Sequence, residues 1–294
     1  MRLLADGRTG RALGLAVLML GSGAAGAVTL TGTIRDFCAP DIPGTCTRLA
    51  DFEGAITGVV TGMVSPTLNA AGLPDYVGGG AGATNAANFA RWYTDAPGFN
   101  TPIPYALTLT ETAPGSGVFS FASSAFFPVD GMGFGNQGRS HNYHFTLHLE
   151  GQTSFRAADS FTFTGDDDLW IYVGGRLAID LGGVHGAASK TITGADLLAL
   201  GLEEDTLYDL DVFFAERHTV ASNFNITTSF RIAPPSSVPE PVGRAPRSGA
   251  QAEGVDRAPD PLVQGASGLH EGVRVRKQGA PAAGGGVGGG EARG

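Results

Sequence analysis

The run Gly165-Asp166-Asp167-Asp168-Leu169-Trp170 sets three carboxylates side by side just before an apolar stretch. Neighbouring side chains on an extended chain point to opposite faces, so three such groups cannot all converge on one point. A tight turn or a cis peptide would bring two of them together. The natural partner of a converged pair is a hard cation. Ca²⁺ accepts about six to eight oxygen ligands, carboxylates and backbone carbonyls included, whereas Mg²⁺ demands stricter octahedral geometry and keeps more water. On residue types alone, a solvated acidic surface turn fits slightly better than a metal site.

Other side chains have chemistry to offer. If 143–149 is a strand, His144 and His148 share a face while His141 points away. A two-histidine transition-metal site then lacks a third ligand that the sequence identifies, and histidines satisfied within the fold are the favoured reading. His185, in Val184-His185-Gly186, and His218, in Arg217-His218-Thr219, are candidates to pack beside the acidic turn or to bind ligand, with packing the leading role. Asp168 and Glu216 would make a glycosidase acid and base only at a defined separation. No Gly-x-Ser-x-Gly elbow, His-Glu-x-x-His or Walker loop occurs, so a non-catalytic protein is expected.

The composition sets the context for that chemistry. Forty-six of the 294 residues are Gly and only 16% are charged, which suits a secreted β-rich protein better than a helical cytosolic enzyme. A net charge of −9 argues against nucleic acid, whose phosphates call for clustered Lys and Arg. Residues 1–27 and 241–294 each carry +2, which leaves −13 on 28–240, with Lys190 its sole lysine. Such a field attracts divalent cations.

The two ends read as separate from the fold. Residues 1–27 have a basic start, an apolar run from Ala12 to Leu20 and the small-residue site Ala25-Gly26-Ala27, the pattern of a secretory signal peptide cleaved after Ala27. The apolar run is too short to span a bilayer, so no stable membrane span is expected in the mature chain. Export makes a disulfide between Cys38 and Cys46 permissible, around a short loop with Pro40, Pro43 and Gly44; two free thiols fit an exported protein less well. From Pro241 onward, 19 of 54 residues are Gly or Pro and none is aromatic. The organisation expected is a signal peptide over 1–27, a β domain over 28–235 and a disordered Gly/Pro-rich tail over 236–294.

The middle of the chain must position the acidic run, and its periodicity is that of strands. Tyr143, Phe145, Leu147 and Leu149 alternate with His144, Thr146 and His148. Phe161 and Phe163 alternate with Thr162 and Thr164. Leu169–Val173 is a continuous apolar run, as in a strand buried on both faces. Gly174-Gly175 suits a two-residue hairpin turn before Leu177–Leu181 returns. Alternation recurs at Tyr208–Phe214 and over Phe224, Ile226, Thr228, Phe230 and Ile232. Short helices are expected at Asn85–Tyr93 and Ala195–Leu200, the second stopped by Gly201. The fold class is all-β, an antiparallel β-sandwich with long loops and one or two short helices.

Longer motifs add a resemblance. Gly165–Gly186, Phe213-Phe-Ala-Glu-Arg-His-Thr219 with Ser222-Asn-Phe224, and Phe126–Asn136 closely resemble the fibro-slime domain family. So do Thr31–Phe37 and Asn88–Tyr93, and the match covers roughly 29–232. That family occurs in bacterial secreted proteins and in matrix and signalling proteins of social amoebae. It is similar to the protective-antigen-type (PA-fourteen) β-sandwich of adhesins, flocculins, toxins and glycosidase accessory modules. In its sugar-binding members, two consecutive Asp residues joined by a cis peptide hold a Ca²⁺ that contacts sugar hydroxyls. Aligning Ile171-Tyr-Val-Gly-Gly-Arg-Leu177 with that broader family puts the pair on Asp166 and Asp167. Asp168 then falls where relatives usually have Gly, which leaves open which adjacent pair binds and keeps Asp168 in the candidate metal set. Asn223 is the candidate for the Asn that a later loop supplies. Val238-Pro239-Glu240-Pro241 resembles the opening of a PEP-CTERM sorting signal of exopolysaccharide-producing bacteria, which should continue into an apolar helix before a basic cluster, but no such helix follows. A frameshifted tail would account for this; sequencing the locus checks it, and alternative frames without an apolar helix would overturn it.

The resemblance implies an exported bacterial module at the cell surface or in the matrix. It would be non-catalytic and would bind carbohydrate, a glycan or exopolysaccharide, through Ca²⁺. Matrix partners are a further expectation. The alternatives are a structural slime protein in which Ca²⁺ only rigidifies a loop and a glycoside-acting enzyme.

Overall fold

The computed structural model of the chain describes residues 24–39, 41, 46–80 and 82–235. The signal-peptide reading falls almost wholly outside these residues, and the tail and its sorting-signal motif wholly outside. Among the described residues, eleven strands form one antiparallel sheet: β1 (Ala27–Phe37), β2 (Asn100–Glu111), β3 (Phe119–Ser123), β4 (Phe145–Ser154), β5 (Ser160–Asp166), β6 (Asp168–Val173), β7 (Arg176–Leu181), β8 (Ala188–Thr193), β9 (Tyr208–Glu216), β10 (Asn223–Thr228) and β11 (Arg231–Ala233). The order is β7-β6-β9-β4-β1-β2-β3-β10-β5-β8, with β11 on β4. Helices α1 (Ala86–Ala90) and α2 (Gly194–Ala199) are the short ones expected. Among the described residues, no helix is long and apolar enough to cross a membrane.

The sheet folds over on itself, giving the all-β antiparallel sandwich. Inward side chains of β4 (Phe145, Leu147, Leu149), β6 (Leu169, Ile171, Val173) and β9 (Leu210, Val212, Phe214) meet those of β5 (Phe161, Phe163) and β10 (Phe224, Ile226) in one core. The sheet also has a second apolar side. Trp170, Tyr172, Phe213 and Ala215 project outward from β6 and β9 and pack against Phe52, Met63, Phe89, Trp92 and Tyr93. Those partners belong to the long excursion between β1 and β2. Strand β6, next to the edge strand β7, is therefore buried on both faces, every residue of it. At the β6–β7 hairpin, Gly174 and Gly175 adopt φ of 55° and 70°, the positive values such a turn requires.

Two features depart from the periodicity. The alternation from Phe224 to Ile232 is not one strand. It breaks at Ser229-Phe230, because β10 pairs with β3 and β5 whereas β11 pairs with β4. The β1–β2 ladder, eleven positions long, alternates at Val28, Leu30 and Ile34 and at Ile103, Tyr105, Leu107 and Leu109, yet β2 is interrupted by Pro102 and Pro104. Prolines are tolerated there because β2 pairs with β3 only at Thr110 and Glu111, leaving an open edge beside them.

Burial of β6 on both faces is testable by substitution. Ile171→Ala, toward the sandwich core, should cost about 2–5 kcal/mol, and Trp170→Ala, toward the excursion, about 3–5 kcal/mol. A strand with a solvated outer face would tolerate the second change within about 0.5 kcal/mol. Urea denaturation of the two variants separates these outcomes.

Candidate metal and ligand site

The acidic run lies where the chain passes from one wall of the sandwich to the other. Asp166 ends β5, opposite Asn223 of β10, and Asp168 begins β6, opposite Ala215 of β9. Between them the Asp166–Asp167 peptide is cis. The solvated surface turn that the residue types favoured is not what forms: Asp166 is 4% exposed, Asp167 5% and Asp168 0%. Strand pairing on both sides draws this short junction into the fold.

Each carboxylate is held by named donors. Asp166 Oδ1 accepts the backbone N–H of Asn223, and its Oδ2 accepts the Asn223 side-chain amide at 2.9 Å. Asp167 accepts the backbone N–H of His185 on Oδ1 and that of Arg217 on Oδ2, each at 3.0 Å. Asp168 is turned away from this pair, a correction to its place in the candidate metal set. It ion-pairs with Arg217 Nε at 2.5 Å, both side chains fully buried, and accepts the N–H of Gly183 at 2.5 Å. Gly183 has a φ of 103°, and a Cβ there would stand 2.4 Å from the carbonyl of Gly58.

Asp166 and Asp167 line a surface cavity of about 150 Å³ with Ile56, Val184, His185, Gly186, His218, Thr219, Val220 and Ala221. The two ring nitrogens of His185 lie against the carbonyls of Gly186 and Leu181, at 2.7 and 3.2 Å. His218 Nδ1 meets the carbonyl of Thr219. Both histidines thus stand in the cavity wall with imidazole nitrogens engaged by backbone. Ile56 and Val220 are 70% and 83% exposed and give the cavity an apolar rim.

Two residues in this corner carried no binding role in the sequence reading. Arg217 compensates Asp168, donates from Nη1 to the carbonyl of Asp51 at 3.0 Å and lies 4.7 Å above the ring of Trp92. Glu216 is fully buried. The Ser222 hydroxyl and the His218 backbone N–H lie beside its carboxylate, though short of well-aligned hydrogen bonds to it. Burial first, and the charge of Asp167 second, push the Glu216 carboxyl well above its ordinary range. Burial and the neighbouring Asp168 raise Asp167 to about 7. Such shifts are those of carboxylates crowded together without enough positive charge. The sequence offered Glu216 through the Phe213–Thr219 motif and as an alternative acid or base beside Asp168, and neither pointed to its burial behind the junction.

The donor set suits a hard cation. Asp166 and Asp167 retain lone pairs beyond those their N–H donors occupy, and the Asn223 side chain is bound directly to Asp166. Asp168 and Glu216, the alternative acid and base, are both shut away from solvent. His141, His144 and His148 do not converge. Each pairs with a different carboxylate, Asp130, Glu53 and Asp211 respectively. Cys38 and Cys46 are joined in a disulfide, Cα atoms 6.0 Å apart.

Comparison with known proteins bears on this segment. Residues 136–238 match the PA14 domain model, a stretch that holds β4 to β11 and every residue lining the cavity except Ile56. Among curated proteins of Dictyostelium discoideum, the chain is similar to psiD, 38% identical over 195 residues, covering 61% of this chain and 38% of psiD. It is 36% identical to psiC over 203 residues, covering 63% and 39%, and 35% identical to psiQ over 192 residues, covering 60% and 19%. The chain thus spans two fifths or less of the length of these relatives. Among solved structures, it is similar to a PA14 sugar-binding domain from an RTX adhesin, with a TM-score of 0.28 and 14% identity over 70% of this chain and 94% of that one. For the PA14 domain of the MpAFP antifreeze protein the values are 0.28 and 10%, over 73% and 96%.

The buried pair gives this corner a measurable signature. Asp168→Asn leaves the Arg217 charge buried without its counter-ion and should cost about 3–5 kcal/mol, whereas Asp168→Asn with Arg217→Met should recover most of that loss. Urea denaturation of the single and double variants checks the coupling; additive losses would mean that the two side chains act independently.

Proposed function

We propose that this chain is an exported, non-catalytic carbohydrate-binding module in which Asp166 and Asp167, with the side-chain oxygen of Asn223, hold a Ca²⁺ ion. The observation that carries the reading is the pair of adjacent, buried carboxylates at the floor of a surface cavity. Backbone N–H groups of three separate segments clamp them, and the Arg217 guanidinium beside them is already committed to Asp168. Ca²⁺ there would supply the missing positive charge and open coordination positions for sugar hydroxyls. The chain's own contribution is rigidity and shape. His185 and Arg217 orient Asp167 from two loops, Asn223 orients Asp166, and Ile56 and Val220 offer apolar surface to the C–H face of a pyranose. Trp170 packs inside and takes no part.

The PA14 match over the segment carrying both carboxylates supports the carbohydrate reading, and the burial of Asp168 and Glu216 supports a non-catalytic role. The same proposal takes the motifs over 29–232 as a fibro-slime domain. It takes residues 1–27 as the signal that exports the chain to the bacterial surface or matrix, where a Cys38–Cys46 disulfide is at home. Glycan or exopolysaccharide is the proposed partner.

The test is calorimetric titration of Ca²⁺ into chelator-treated full-length protein, beside Asp166→Asn/Asp167→Asn, followed by glycan arrays with and without calcium. Saturable binding of Ca²⁺, lost in the double variant, and calcium-dependent glycan binding are expected. No calcium binding by the unaltered protein would overturn the metal site. Calcium binding with no glycan recognised would leave an ion that only stiffens the loop. Glycan binding kept by the double variant would refute the metal bridge.

A further inference from the structure

A different set of ligand-type side chains stands on the outer face of the sheet, away from the acidic junction. His148 and Glu150 are two residues apart on β4 and so project from the same face. Asp211 of β9 is directly opposite Glu150 in the ladder. One ligand atom from each of the three lies within 4.8 Å of the others, and His148 Nε2 is 2.9 Å from Asp211 Oδ1. The imidazole is stacked on Phe213, ring centroids 4.1 Å apart and planes 14° apart, which fixes where Nε2 points. The cluster faces a cavity of about 580 Å³, bounded on its far side by Leu68–Gly72 of the excursion and also lined by Asp209. No lysine or arginine is among its lining residues.

Charge and donor chemistry together argue for more than a hydrogen-bonded histidine. Like charges directly opposite one another in a ladder are destabilising, yet Glu150 faces Asp211, and Asp209 projects beside them. His148, even protonated, balances at most one of the three carboxylates. An imidazole nitrogen with two carboxylates is a set for Zn²⁺ and similar borderline ions, whereas Ca²⁺ and Mg²⁺ take oxygen ligands. Bonds of about 2.0–2.1 Å at tetrahedral angles put neighbouring ligand atoms roughly 3.3 Å apart. The His148–Asp211 pair needs to open only slightly to meet that value, and the exposed Glu150 needs only a side-chain rotation.

We propose that His148, Glu150 and Asp211 form a transition-metal site for Zn²⁺ or a similar borderline divalent ion, with its fourth position open to the cavity. Strand pairing supplies the ligands that His148 lacks in the sequence: Glu150 completes the same face, and Asp211 arrives from β9. The open position takes water or an oxygen donor of a molecule in the cavity. This site is independent of the Asp166–Asp167 pair.

The probe is Co²⁺, titrated into chelator-treated full-length protein and then competed with Zn²⁺ and Ca²⁺. One equivalent should bind with the visible absorption of a low-coordinate cobalt ion, yield to Zn²⁺ and resist excess Ca²⁺. Glu150→Gln, at an exposed position that leaves the fold alone, and His148→Ala should each weaken binding at least about tenfold. Asp166→Asn/Asp167→Asn should leave it unchanged. Absence of saturable Co²⁺ binding, or equal affinity in Glu150→Gln and the unaltered protein, would overturn the proposal.

Discussion

Arg217 is a fully buried guanidinium, and the corner of the sandwich is arranged around it. Its Nε meets Asp168 at the start of β6, its backbone N–H holds Asp167, and its Nη1 reaches the carbonyl of Asp51 in the excursion while the plane lies over Trp92. Removing a charge from water is costly unless a counter-charge and hydrogen bonds replace hydration. Here those replacements come from β6 and from the excursion, so this one side chain ties both to the end of β9. The Asp166–Asp167 floor of the cavity inherits its position from that tie.

The excursion between β1 and β2 contributes from the other side. Its aromatic cluster covers the outer face of β6 and β9, and its 57–60 stretch pairs with the loop after β7. Thr57 and Gly58 donate to the carbonyl of Val184, and Val60 to that of Gly182. That loop holds His185, whose N–H clamps Asp167, and Gly183, whose N–H clamps Asp168. The long loops of this sandwich thus form a second packed layer that fixes the site from outside. Where that layer stops short, over His148, Glu150 and Asp211, the sheet face is left polar and open.

Electrostatics distinguishes the two acidic regions. At the junction, Asp166, Asp167, Asp168 and Glu216 crowd together with one guanidinium among them, in a setting of low dielectric where charge imbalance is strongly felt. Only Asp168 is directly ion-paired, and the remaining acids are the ones whose oxygens are bound by N–H groups or by nothing. On the outer face the carboxylates are partly solvated, and the nearest nitrogen ligand is an imidazole. For the two proposed sites, the first environment would suit hard oxygen-seeking cations and the second ions that accept nitrogen.

Much of the fold was legible because it is local. Period-two alternation marked β4, β5, β9 and β10, the apolar run 169–173 marked a strand buried on both faces, and Gly174-Gly175 marked its hairpin. The adjacency of Asp166 and Asp167, and the two short helices with their caps, are equally local facts. What the sequence could not determine is pairing across distance. Asp168 looked equivalent to its two neighbours until the fold brought Arg217, 49 residues away, against it. Asn223 becomes a neighbour of Asp166 only through the β5–β10 ladder, and Asp211 a neighbour of His148 only through β4 and β9. Side-chain periodicity says which face a residue occupies, but the identity of what stands opposite depends on strand order and register. Those are set by burying the whole core at once, so the tertiary structure alone decided which carboxylate was ion-paired, which lined the surface cavity and which was sealed inside.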